Sequence, residues 1–214
     1  MHFQGFKLLP NILKIANGLN CTVFGSAPNR RLPENYVDSF MVCVNGSGLG
    51  LLRSPDLTVM GAQICLCKTR TCRHTIRNIN GRFSERMLWV HPGNITDYED
   101  RYRDFGFSWS NSETLMAEDR WYLVKQLTGY ELPGLAGNAA PSNGALAALM
   151  IAATGADKIF LTGFSFVTGH FYIDTETPRN HVNHDEVIFD WLAKHSLVYS
   201  TDIDMHKRFG FSLV

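Results

Sequence analysis

Short apolar runs alternate along this chain with stretches of helical character. Cys21–Phe24 (CTVF) runs into the turn Gly25-Ser26-Ala27-Pro28-Asn29, and Phe40–Val44 (FMVCV) stops at Asn45-Gly46-Ser47-Gly48. Met87–Val90 (MLWV) is closed by His91-Pro92-Gly93, and Lys158–Thr162 (KIFLT) by Gly163-Phe164. Leu57–Met60, Ile64–Cys67 and Leu197–Tyr199 complete the set. These runs are mostly continuous rather than alternating, the pattern of strands covered on both faces. Gly144–Thr154 (GALAALMIAAT) joins high helix propensity to apolar residues almost all round, which predicts a buried helix. Asp185–Lys194 carries a stripe through Val187, Ile188, Trp191 and Leu192, with acids first and a lysine last, as a helix dipole favours. Asn94–Trp121 is rich in Asp, Glu, Arg, Tyr and Trp without clear period, and predicts a partly helical, irregular, exposed excursion near residues 94–121 that serves as a lid or an acceptor-side element. Strand–helix alternation predicts an α/β fold of three layers around a mainly parallel sheet, in one domain over residues 1–214.

Composition narrows the function classes. Twenty basic residues balance twenty acidic ones, which argues against a protein that coats nucleic acid. No apolar run reaches a membrane span, and Met1–Ile15 lacks the layout of a secretory signal. An odd set of cysteines (Cys21, Cys43, Cys65, Cys67 and Cys72) reads as reduced thiols of a cytoplasmic protein. Cys65, Cys67, Cys72 and His74 cluster, but C-x-C-x4-C-x-H is not a zinc spacing and lacks a second ligand pair.

The candidate chemistry lies in turns after strands, where open parallel sheets bind ligands. Gly25–Asn29, Asn45–Gly48 and His91–Gly93 are such turns, and Pro141-Ser142-Asn143-Gly144 opens the buried helix. Unpaired amides at a helix start attract phosphate, although a plain capped helix has the same sequence. Neither the dinucleotide nor the P-loop fingerprint is present. Four histidines, His170, His181, His184 and His195, fall within 26 residues. Imidazole supplies a base or a phosphate donor near neutral pH, and equally lines ordinary polar loops. His181 and His184 have metal-like spacing without a matching third ligand. Glu186 is placed to orient a histidine or cap the next helix. Asp202-Ile203-Asp204 has the form of a metal-binding D-x-D but follows no glycine-bounded strand.

In their order these segments resemble the sialylmotifs of the sialyltransferases, glycosyltransferase family 29 and its bacterial relatives. Cys21–Asn29 resembles the start of the large motif, and Val42-Cys43-Val44-Asn45 its end. Pro141–Gly144, the helix, and Asp157–Phe164 resemble the small motif. His170-Phe171-Tyr172 resembles the third motif, and His181 with Glu186 the H-x4-E of the very small one. The matches touch about a third of the chain and span residues 21–186.

The resemblance implies a three-layer Rossmann-like fold of the GT-A-variant type. It implies a CMP-sugar glycosyltransferase, inverting, needing no metal or other cofactor, with a CMP-sugar donor and a glycan acceptor as partners. His181 would be the base and His170 would contact the departing phosphate. Asn45 with Gly46, and Ser142, Asn143 and Gly144, would hold CMP against a wall of Gly25, Ser26 and Asn29, with Glu186 supporting. The animal enzymes pair a large-motif cysteine with a small-motif one; Cys21 stands at the first place, but the second falls near Ala156, so no disulfide is expected. A missing stem and anchor fit a cytoplasmic microbial enzyme of polysaccharide biosynthesis, with peripheral membrane contact left open. Val44-Asn45-Gly46-Ser47 fits CMP-Kdo transferases as well. A non-catalytic nucleotide-binding module and a pyrophosphokinase-like enzyme of similar fold are the competing classes.

Overall fold

The computed structural model describes residues 9–27, 31–33, 38–47, 57–62, 79–90, 95–135, 139–168 and 181–214. Among the described residues eight parallel strands form one sheet: β1 Asn20–Phe24, β2 Phe40–Val44, β3 Leu57–Ala62, β4 Phe83–Val90, β5 Ser108–Leu115, β6 Lys158–Thr162, β7 Val198–Ser200 and β8 Ser212–Leu213. Their order is β5-β4-β3-β2-β1-β6-β7-β8. The chain steps one way from β1 to β5, then returns to the other flank of β1 with β6. That reversal makes the carboxyl ends of β1 and β6 the topological switch point, where open parallel sheets bind ligands.

Both faces of the sheet are buried, which is why its central strands are apolar without alternation. Val23, Phe40, Val42, Val44, Leu88 and Val90 join the larger core on one face. Their neighbours Phe24, Met41, Cys43, Met87 and Trp89 join a second core on the other. The period of two sends alternate side chains into separate layers, so the fold has the expected three. Helix α1 (Ile95–Asp104) supplies Tyr102 to the smaller core. Helices α2 (Ala117–Thr128), α3 (Asn143–Ala153), α4 (Val182–His195) and α5 (Ile203–Phe209) feed the larger one. Every residue of α3 from Gly144 to Ala153 is buried, as its composition predicts. Leading into β6, α3 runs back along the sheet, and this puts its N-terminus at the carboxyl edge of the strands.

The 94–121 segment departs from the sequence reading. From residue 95 on it folds regularly, as α1, the edge strand β5 and the start of α2. An edge strand of a parallel sheet has one neighbour, and only Leu115 of SWSNSETL is buried, so β5 has no apolar run to reveal it. Ile64–Cys67, the Cys65/Cys67/Cys72 cluster, His74 and the His91–Gly93 turn lie outside the described residues. Cys21 and Cys43 are both buried. Burial pushes the Cys21 thiol up to about 12.

Phe164, just after β6, explains two glycines. A Cβ on Gly144 would lie 2.9 Å from its ring, and a Cβ on Gly25 would lie 3.0 Å from that ring and run into the Gly163 carbonyl. The ring is wedged between the β1 turn and the start of α3. Gly144→Ala and Gly25→Ala should each lower unfolding free energy in urea by about 1–3 kcal/mol, the usual cost of overpacking. Phe164→Leu should relieve the Gly144→Ala cost and leave most of the Gly25→Ala cost, because there the backbone stands in the way. Equal relief of both would show that the ring alone imposes the two glycines.

Candidate functional site

Three loops converge at the carboxyl edge. After β2, Asn45 (φ 53°) and Gly46 (φ 74°) are both left-handed, and the Ser47 amide donates to the Val44 carbonyl at 2.9 Å. This is the form of a type I′ turn, which Asn-Gly favours. A hairpin would use such a turn to reverse the chain, whereas here it presents Asn45 to α3. Asn143 Nδ2 donates to Asn45 Oδ1 at 3.3 Å across 98 residues of sequence. Ser142 caps α3, its Oγ accepting the Ala145 amide at 3.2 Å. The amides of Asn143 and Gly144 are left without an intrahelical partner.

The first turn of α4 faces this helix start. His181 is the N-cap residue of α4, and its Nδ1 lies 2.7 Å from the Ala140 carbonyl. A carbonyl only accepts, so Nδ1 carries a proton, and whenever the ring is neutral its lone pair is on Nε2. Asp185 is buried, and its Oδ1 accepts the Ser142 amide at 2.7 Å. His184 Nδ1 pairs with the Tyr130 hydroxyl at 3.1 Å. All three side chains therefore reach the 130–142 segment that leads into α3. Helix α2 holds the same segment from beneath: Trp121 Nε1 donates to the Leu132 carbonyl at 3.0 Å, and buried Arg120 donates to the Leu135 carbonyl.

The structure thus brings together Asn45, Ser142, Asn143, Gly144 and His181 from the sequence-predicted set. Gly25 and Ser26 follow β1 at the same edge. Asn29 and His170 lie outside the described residues. Glu186 does not join the group. It pairs with Arg208 Nη2 of α5 at 2.8 Å. Helix geometry is the reason: residue 185 is four positions from His181 and near its face, whereas residue 186 is turned about 140° away. The acid of this turn that reaches the segment ahead of α3 is Asp185, not Glu186. Its signal was available in the sequence as an acid one full turn after His181.

The D-x-D pair lies just beyond β7, the strand that the Leu197–Tyr199 run predicts, and no glycine bounds that strand. Both carboxylates hold the turn after β6. Asp202 Oδ2 accepts the Phe164 amide at 3.0 Å; Asp204 Oδ2 accepts the Ser165 hydroxyl at 2.7 Å and the Phe166 amide at 2.8 Å. They line a cavity of about 210 Å³ with Arg31, Ser165, Thr168, Thr201 and Ile203. Among the described residues no three His, Cys, Asp or Glu side chains are grouped to hold a metal ion. No described helix is long and apolar enough to cross a membrane.

No protein-family model and no curated protein sequence matches this chain. Solved structures do. The α-2,3-sialyltransferase Cst-I of Campylobacter jejuni superposes with a TM-score of 0.56 at 14% identity, covering 91% of this chain and 80% of its own. The C. jejuni sialyltransferase CstII, in complex with the substrate analogue cytidine-5′-monophosphate, gives 0.54 at 17% identity over 92% and 85%. CstII with a trisaccharide acceptor and CMP gives 0.52 at 16% over 91% and 85%. The chain has the fold of these sialyltransferases. At this identity the likeness establishes architecture: a mainly parallel α/β sheet in the order described.

Burial raises the Asp202 carboxyl from its usual 3.8 to about 6, against the opposing hydrogen bond from Phe164. A raised folded-state value means the native protein binds this proton more tightly than the unfolded chain. The stability it confers is complete below about pH 4 and is lost as pH rises through about 6. Asp202→Asn keeps an oxygen to accept the Phe164 amide and removes the charge. Its urea midpoint relative to wild type should therefore rise between pH 4 and 7; a constant difference would show that Asp202 does not titrate in this window.

Proposed function

We propose that this protein is a glycosyltransferase that moves a sialic acid-type sugar from a CMP-activated donor to a glycan hydroxyl, with inversion and without a metal. The observation that carries the reading is the His181–Ala140 contact. It fixes Nε2 as the basic nitrogen, on a side chain tied to the segment that opens α3. The sialyltransferase-like fold supports it, as does the order of the motif-like segments.

In this reading the CMP phosphate sits at the start of α3, against the Asn143 and Gly144 amides. Asn45 uses its oxygen on Asn143 and keeps two amide donors for the nucleotide. The backbone of Gly25 and Ser26 forms the other wall, and Asn29 and His170 take the roles their motifs imply. His181 Nε2 removes the proton of the acceptor hydroxyl as that oxygen bonds to the anomeric carbon. The bond from that carbon to the phosphate oxygen breaks on the opposite face, and CMP leaves with the electron pair. A phosphate monoester is a stable leaving group, so amide and imidazole donors serve where other transferases use a cation.

CMP should raise the melting temperature selectively over UDP, GDP and ADP, since a ligand of the folded state stabilises it. Asn45→Ala should weaken that shift, and unchanged CMP affinity would remove Asn45 from the site. Release of CMP from CMP-sialic acid, compared with CMP-Kdo, identifies the donor. A CMP-selective shift with neither donor turned over would point to a binding module.

His181→Ala should reduce turnover about 10²–10⁴-fold with CMP affinity nearly intact, the usual worth of a general base. Near-normal turnover in this variant would move the base elsewhere.

A further inference from the structure

Asp185 is 5% exposed and lies one turn into α4. Its carboxylate accepts the Ser142 amide at 2.7 Å, and its own amide donates to the His181 carbonyl at 2.9 Å. One residue thus binds the helix start assigned to the donor phosphate and the residue assigned as base. Forty-three positions of sequence separate Asp185 from Ser142. Nothing local obliges the two helix starts to keep a common register. The His181–Ala140 contact is a second tie between the same two segments.

We propose that Asp185 is a positioning residue that holds the anion-binding start of α3 and the His181-bearing start of α4 as one unit. The proposal rests on the function proposed above. The carboxylate takes the amide just ahead of those of Asn143 and Gly144, and so sets the direction in which they point. It also fixes the distance between this anion cradle and His181. Losing it frees both ends at once: CMP loses a preformed cradle, and the imidazole loses a fixed partner segment.

The test compares Asp185→Ala and Asp185→Asn. CMP affinity is read by calorimetry, the His181 Nδ1–H resonance by nitrogen-15 NMR, and CMP release from CMP-sialic acid by initial rates. Asn keeps a carbonyl oxygen for the Ser142 amide and should stay within about threefold of wild type in CMP affinity. Ala should weaken CMP binding about tenfold or more, the worth of one charged hydrogen bond, and shift or broaden the His181 signal. Wild-type CMP affinity and an unmoved His181 signal in Asp185→Ala, even with a lower melting temperature, would overturn the proposal and leave Asp185 a fold brace. If Asp185→Ala does not fold, Asp185→Glu is measured instead, since it keeps the charge and displaces the carboxylate by one methylene. Weakened CMP binding there supports the proposal, and wild-type affinity overturns it. A wild-type protein that binds no CMP overturns the functional reading and this proposal together, whereas normal wild-type binding with an unaffected Asp185→Ala overturns the proposal alone.

Discussion

The start of α3 has to be satisfied inside the protein, and the carboxyl edge of the sheet is arranged around that requirement. A helix buried all round from Gly144 to Ala153 meets solvent only at its half-buried start, Ser142 and Asn143, so most of its first polar groups are satisfied by the protein. The Ser142 hydroxyl takes the Ala145 amide and the Asp185 carboxylate takes that of Ser142 itself. The Asn143 side chain reaches to Asn45. What remains is a pair of amides at the positive end of a helix dipole, at the sheet edge where the strand order reverses. Such an end is complementary to an anion on physical grounds, whatever the anion is attached to.

The parts of the fold legible in the sequence are those buried on both sides. FMVCV and KIFLT are β2 and β6 to the residue, and GALAALMIAAT gives α3 to within one position at each end. The elements that could not be read are those whose burial is partial or broken by a polar residue. β5 faces solvent along most of its length. On α2, Arg120 stands with Leu123, Val124 and Leu127 on the buried side, and a guanidinium there interrupts the apolar stripe by which the helix would be recognised. Burial lowers the proton affinity of that guanidinium, which donates to the Leu135 carbonyl.

The candidate site is legible by residue type and less so by geometry. Asn45, the Ser142–Gly144 segment and His181 stand out because turns and helix starts have few compatible sequences. Motif spacing pointed to Glu186, and helical periodicity chooses Asp185. A motif records which residue types occur at which intervals, whereas a helix assigns each position a direction. Where the two differ, direction decides what a side chain can touch, and Glu186 touches Arg208 of α5 instead. Tyr130 lies 54 residues from His184 in sequence, and no local pattern could have announced that contact.

The same economy governs the turn after β6. Asp202 and Asp204 direct their carboxylates at the amides of Phe164 and Phe166, so the acids with the form of a D-x-D hold a loop. That loop carries Phe164, and the Phe164 ring fills the space left by Gly25 and Gly144. The start of α3 is thereby fixed from three directions: Asn45 of the β2 turn, Asp185 of α4, and the aromatic wedge from β6. Two of these are polar and directional, and the third is steric. A hydrogen bond sets the orientation of the helix end but yields readily to displacement along its axis. A buried ring against backbone resists displacement but not rotation. Holding two amides steady in one direction needs both kinds of constraint, and the edge of this sheet supplies both.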